Sequence, residues 1–106
     1  MIFSLEKRFI ADRWDGENVF YHLYLNNSDK TTDNYTVNVH DGICEVSDQL
    51  IGEPNCIIKT SPNVYMGIEN GEIKAHWALF TGKLKINNIP AILSFINMFK
   101  RVYETT

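Results

Sequence analysis

The sequence predicts one small domain that mixes helices and strands. Three observations carry that expectation. The middle of the chain alternates apolar and polar residues with a period of two. Both ends carry apolar residues at helical spacing, and an Asp-Gly pair separates two alternating runs. At 106 residues and 44% hydrophobic composition, residues 1–106 suffice for a single domain with a core of its own, and two full domains would not fit.

Ile2, Leu5 and Phe9 recur at helical spacing with Glu6, Lys7 and Arg8 on the other side, which predicts a short amphipathic helix ended by the Asp15-Gly16 turn. From Glu17 the period changes. Val19, Tyr21, Leu23 and Leu25 alternate with Phe20, His22 and Tyr24, a strand apolar on both faces and therefore expected at the centre of its sheet. The polar run from Asn26 to Asn34 reads as a loop. Tyr35, Val37 and Val39 form a half-buried strand, Asp41-Gly42 a hairpin turn, and Ile43 to Val46 the returning strand. After a loop at Gly52-Glu53-Pro54-Asn55, Cys56 to Lys59 reads as a strand. Ser61-Pro62 opens a helix, because Ser supplies an N-cap oxygen and Pro its fixed φ, and Gly71 closes it. Ile73, Trp77 and Phe80 mark a second short helix from about residue 73 to 80, and Lys83 to Ile86 a strand with one wet face.

The last helix, from Ile89 to about Tyr103, is unusually apolar. Ile89, Ile92, Ile96, Phe99 and Tyr103 fall along one edge; Ala91, Phe95, Met98 and Val102 fall along the next. Together they span an arc of roughly 220°, where a helix packed on one sheet face needs little more than about 100°. Four readings absorb the surplus: a helix wedged within the core, the wall of an apolar ligand cavity, a homodimer seam, or a patch that docks on a membrane or a partner.

Composition and motifs exclude several functions. A net charge of −3 argues against nucleic acid, and no apolar run approaches the roughly 20 residues of a membrane span. The opening Met-Ile-Phe-Ser-Leu-Glu-Lys-Arg places acid and base at once and reads against a secretory signal. Cys44 and Cys56 are expected to be reduced thiols of a cytoplasmic protein. His22, His40 and His76 form no metal-ligand pattern, so no metal or cofactor is expected, and no nucleophile elbow or phosphate loop is present. Glu69 and Glu72 read as solvated charge. Lys83 and Lys85 share one side of a strand, either as an outer face that protects an edge or as contacts for an anionic headgroup. No catalytic residues are assigned; assistance by Glu69 or His76 on a lipid substrate is the remote enzymatic alternative.

From Asp41 to Phe99 the chain resembles the sterol carrier protein 2 domain family. Thr81-Gly82-Lys83-Leu84-Lys85-Ile86 is similar to that family's segment before its last helix. The Asp-Gly hairpin with Ile43-Cys44-Glu45-Val46, then Glu53-Pro54-Asn55, Ser61, Tyr65, Gly71, Ile73 and Ala78-Leu79-Phe80 follow in the family's order. Phe9 and Trp14-Asp15-Gly16 are similar to the start of its bacterial stand-alone members. The resemblance implies an α+β fold: a five-stranded, mostly antiparallel sheet covered on one face by helices, in the order α-β-β-β-crossover-β-α-α-β-α. The crossover would keep Cys44 and Cys56 on strands that are not neighbours. It also implies non-catalytic binding and transfer of a fatty acid, fatty acyl-CoA, phospholipid, sterol or isoprenoid in an apolar tunnel. Carried over by position, Trp77, Phe80, Leu84, Ile86, Phe95, Ile96, Met98 and Phe99 become candidate lining. The alternative is an accessory module for a lipid- or quinone-pathway enzyme, with the last helix as its seam. Two departures stand out: Asn87-Asn88-Ile89-Pro90 replaces the family's Gly-Asp turn, and Tyr-Glu-Thr-Thr is not a peroxisomal ending.

Overall fold

The computed structural model describes residues 5–14 and 16–98, without the side chains of residues 96 and 97. Five strands form one sheet in the order β3-β2-β1-β4-β5. They are β1 (Val19–Asn26), β2 (Thr32–His40), β3 (Ile43–Ser47), β4 (Cys56–Thr60) and β5 (Leu84–Ile86). The helices are α1 (Leu5–Arg8), α2 (Pro62–Glu69), α3 (Ala75–Phe80) and α4 (Ile89–Met98), with a 3₁₀ turn at Ala11–Arg13. The α+β class and the order of helices and strands along the chain expected from the resemblance are both observed.

Strand β1 is central, as its two apolar faces require. It pairs antiparallel with β2 and parallel with β4, while β2–β3 and β4–β5 are antiparallel. The parallel pair forces a crossover, so two strands lie between Cys44 on β3 and Cys56 on β4, and both thiols are free. The pairing register puts Tyr21, Leu23, Val37, Val39, Ile58 and Ile86 on one sheet face, and Phe20, His22, Thr36, Lys59 and Lys85 on the other. The first face carries the core.

Local chemistry sets the element ends. Asp41 (φ 51°) and Gly42 (φ 76°) both adopt the left-handed backbone that a two-residue type I′ hairpin demands. Ser61 Oγ accepts from Val64 N at 3.2 Å and caps α2, and Gly71 follows the Asn70 C-cap with φ 79°. In the departure from the family pattern, Asn87 Oδ1 accepts from Ile57 N at 2.7 Å and Asn88 Oδ1 accepts from Ala91 N at 3.2 Å. These two asparagines tie β4 to the start of α4 and cap that helix.

Four expectations need correction. The loop expected from Asn26 to Asn34 is shorter than that run: pairing continues out to Asn26↔Thr32, so the loop is confined to residues 27–31. Its side chains bond across the hairpin, Thr32 Oγ1 donating to Asn26 Oδ1 and Asn27 Nδ2 to Asp33 Oδ2, so polarity there marks a wet hairpin end. Arg8, assigned to the polar side of the first helix, is buried. Glu69, read as solvated charge, is buried with it, each satisfying the other. Helix α3 is six residues long and turns Ala78 inward, which leaves Trp77 47% and Phe80 89% exposed. The extension of the last helix toward Tyr103, its residue Phe99, and the start of the first helix at Ile2 lie outside the described residues.

Candidate functional site

The core face of the sheet and the helices above it do not close on one another. They border a cavity of about 770 Å³ that is roughly half open to solvent. Its floor is sheet: Tyr21 and Leu23 of β1, Val37 of β2, Ile58 of β4, and Leu84 and Ile86 of β5. Its walls are Leu5 and Arg8 of α1, Tyr65, Ile68 and Glu69 of α2, and Ile92, Leu93 and Phe95 of α4. The α2–α3 connection with Ile73 and Lys74, then Ala75 and His76, supplies the remaining side. Asn70, Gly71, Lys74, His76 and Leu93 are exposed and mark the rim, whereas Leu5, Tyr21, Leu23 and Val37 are almost fully buried.

Strand β1 holds α4 in place through one residue. The Tyr21 ring meets Phe95 edge-on, with centroids 4.8 Å apart and planes at 70°, and its hydroxyl donates to Ala91 O at 3.1 Å. The other end of α4 is tied to the N-terminal segment, where Ile10 N donates to Met98 O at 2.7 Å.

Below the polar rim residues Asn70, Lys74 and His76, the cavity wall turns polar where Arg8, Tyr65 and Glu69 meet. Arg8 Nη2 stands 2.7 Å from Glu69 Oε2, and Tyr65 donates its hydroxyl to Glu69 Oε1 at 2.5 Å. The side chains of Arg8 and Glu69 are only 7% and 9% exposed. Burial pushes the Tyr65 phenol well above its usual range, and the neighbouring Glu69 carboxylate adds to that; the Arg8 guanidinium opposes it. The phenol therefore stays protonated and donates.

The candidate lining residues separate on this geometry. Leu84, Ile86 and Phe95 border the cavity. Met98 is buried and borders a smaller depression of about 260 Å³ between the start of β1 and α4, next to Asn88 and Pro90. Trp77 and Phe80 project from α3 into solvent, and the Lys83 ammonium lies over the Trp77 ring, 5.0 Å from its centroid. Lys85 lies on the sheet face opposite the cavity. The Ile96 side chain and Phe99 lie outside the described residues.

Sequence reasoning missed Arg8, Tyr65, Glu69, Ile68, Ile73 and Leu93 as cavity residues. Tyr65 and Glu69, four apart on one helix, were a readable hydrogen-bonding pair. Nothing local marked Arg8, whose partner is sixty-one positions away.

Little here suits nucleophilic chemistry. Burial pushes the Cys44 thiol up to about 12 and the Cys56 thiol up to about 11, away from reactive thiolate. His22 bonds Ile51 O beneath the loop after β3, and His40 sits at the surface between Asp41 and Glu45. Among the described residues, no cluster of metal-ligating side chains is present, and no helix is long and apolar enough to cross a membrane.

The model of the SCP-2 sterol transfer family matches residues 10–100. The chain belongs to that family. Membership makes this a domain of a sterol-transfer family. Among curated proteins, no sequence match is found. The solved structures it resembles include the inverting sec-alkylsulfatase Pisa1 from Pseudomonas sp., at 14% identity and a TM-score of 0.76 over 91% of this chain. Only 15% of the sulfatase's length is covered, so the likeness is to one portion of that enzyme. Palmitated SCP2L2 from Aedes aegypti matches at 13% identity and a TM-score of 0.68, over 94% of this chain and 93% of its own. The ubiquinone synthesis protein UbiJ-SCP2 matches at 11% identity and a TM-score of 0.63, over 83% and 72%. At these identities the likeness concerns the fold.

Proposed function

We propose that this chain is a non-catalytic, cytoplasmic lipid carrier that takes one acyl, sterol or isoprenoid chain into the cavity between its sheet and helices. The observation that carries this reading is the cavity itself. Its space of about 770 Å³ is bounded on the sheet side by Tyr21, Leu23, Val37, Ile58, Leu84 and Ile86. A space of that size falls within the range of small-molecule pockets, which take most of a ligand's surface out of water. Burial is the mechanism. Each methylene removed from water contributes about 0.8 kcal/mol, so a chain of ten carbons gains roughly 8 kcal/mol before ordering costs are subtracted.

Leu84, Ile86 and Phe95 would touch the chain directly. Lys83 and Lys85, outside the cavity, would meet anionic headgroups of the donor surface rather than the headgroup of the bound lipid. The family match and the palmitated relative support a lipid ligand. The test is to purify the protein from cells, extract it under denaturing conditions for mass spectrometry, and titrate it with a fluorescent fatty probe. Co-purified lipid or saturable, one-to-one binding is expected; an empty extract with a flat titration would overturn the proposal.

A second reading has its own observation. Ile89 and Leu93 leave α4 with exposed apolar surface, 61% at Leu93, and one fold neighbour is a ubiquinone synthesis protein. In that reading α4 is a seam for a lipid- or quinone-pathway enzyme or for a second copy. Phe95→Asp with Met98→Asp would then abolish association of a protein that never bound the probe.

A further inference from the structure

The polar spot in the cavity wall has a direction to its hydrogen bonding, and that direction restricts the ligand's head group. This inference rests on the carrier reading above. An ionised carboxylate offers about four lone-pair sites and no donor. Glu69 uses one for the Tyr65 hydroxyl and one for Arg8, which leaves acceptor capacity on its two oxygens. Of the donors beside it, Tyr65 has a single hydrogen and Arg8 turns part of its five-donor fork toward the pair. The Tyr65 hydrogen is given to Glu69 at 2.5 Å, and Arg8 is bound to Glu69 at 2.7 Å and also reaches the Tyr65 oxygen. The unsatisfied hydrogen-bonding capacity that Glu69 presents to the cavity is therefore an acceptor.

We propose that Glu69, held by Arg8 and Tyr65, is a head-group site selecting a neutral donor, a lipid alcohol, over a fatty carboxylate. A hydroxyl donates to Glu69 and keeps the spot electrically neutral. A carboxylate has only acceptors to offer and would place a second negative charge beside Glu69. The attraction of Arg8 is offset by that repulsion, and the cost of taking the carboxylate out of water is left uncompensated. A protonated amine is a donor but meets Arg8 as a like charge. The alcohol alone has no penalty. The same spot explains why two opposite charges are buried in an apolar wall where well-packed hydrophobic residues would be equally stable.

The test is displacement of a bound fluorescent apolar probe by a long-chain alcohol, its methyl ether and the fatty acid of equal chain length, at neutral pH. A hydrogen bond to a charged acceptor corresponds to about tenfold or more in affinity. The alcohol is expected to displace the probe at least about tenfold more tightly than either the ether, which cannot donate, or the acid. Glu69→Gln removes the negative charge and leaves Arg8, so the acid should gain about tenfold and close most of its gap to the alcohol. Equal binding of alcohol, ether and acid by the unchanged protein would overturn the head-group site while leaving the carrier function standing. Failure of the probe itself to bind would overturn both. Should Glu69→Gln fail to fold, the alcohol–ether comparison on the unchanged protein decides alone.

Discussion

Replacing Gly67 by Ala tests whether the cavity wall is soft. Gly67 lies in α2, and a Cβ built there would stand 2.4 Å from Ile73 Cδ1 and 2.8 Å from Ile73 Cγ1. Carbon atoms rest about 3.5–4.0 Å apart, so the Ile73 side chain must move by about 1 Å or more. Its backbone is fixed, because Gly67 O accepts from both Glu72 N at 2.8 Å and Ile73 N at 2.9 Å. The open direction is the cavity that Ile73 already borders. Two terms then oppose one another: alanine gains about 1 kcal/mol over glycine in a helix, and overpacking costs about 1–3 kcal/mol. With space to receive Ile73 the cost falls at the low end, and net stability changes by less than about 1 kcal/mol, a shift in Tm below roughly 8 °C. The intruding carbons remove space for about two methylenes of ligand, about 1.6 kcal/mol, or roughly fifteenfold weaker binding of the longest chain that fits. Thermal melts and displacement with a homologous series of alcohols measure both. A loss of more than about 3 kcal/mol would show a rigid wall; unchanged stability with unchanged affinity across the series would show that Ile73 does not bound the ligand. Either result refutes the reasoning.

Two further predictions concern the scaffold. In the folded chain Cys44 is raised from 9.0 to about 12, Cys56 to about 11, and Tyr65 well above 10.0. Each holds its proton more tightly folded than unfolded, so the stability they contribute is complete below pH 9 and is lost as pH rises through 11 to 12. Urea midpoints should fall steeply across that alkaline window and less steeply in Cys44→Ala with Cys56→Ala. An identical slope in both proteins would remove the thiols as the cause. On the sheet face away from the cavity, Thr36 Oγ1 donates to Gln49 O at 2.6 Å and accepts from Ile51 N at 2.8 Å. Thr36→Val strands both loop groups and should cost about 2–3 kcal/mol, with faster amide exchange between residues 48 and 52. A smaller loss with unchanged exchange would mean that the loop finds other partners.

How far the sequence was legible depended on the range of the forces involved. Strand β1 could be placed at the centre of the sheet from its own residues, since Tyr21, His22 and Leu23 leave neither face fit for water. The Asp41-Gly42 turn and the Ser61-Pro62 helix start were equally local, each set by two adjacent residues. The face of α3 was not. Six residues at helical spacing allowed Trp77 and Phe80 to be read inward, but Ala78 is the residue that meets the sheet side. Periodicity in so short a helix does not say which edge is covered. The loop at Asn26 to Asn34 was drawn too long for another reason: side chains at its ends find partners on the opposite strand, which no single segment shows. The cavity was half legible. The excess apolar arc of α4 announced unspent surface, and among the positions carried over from the family it favoured Phe95, which borders the cavity, and Met98, which does not. The Arg8–Glu69 pair joins α1 to α2 across the whole sheet sequence, and burial of each charge makes sense only with the other present.

The parallel pairing of β1 with β4 bears on how the chain assembles. Strands β1 to β3 are antiparallel neighbours in sequence and can pair as soon as they exist. The second edge of β1, from Tyr21 to Leu25, waits for Cys56 to Thr60 to arrive. Until then the most apolar strand of the protein has an unpaired edge, a template for joining another chain. A nascent chain halted near Asn55 would thus be the aggregation-prone species, and helix α2, which follows β4 directly, would cover the sheet only after that edge is sealed. The central position that makes β1 the floor of the cavity also leaves it paired on one side only until β4 arrives.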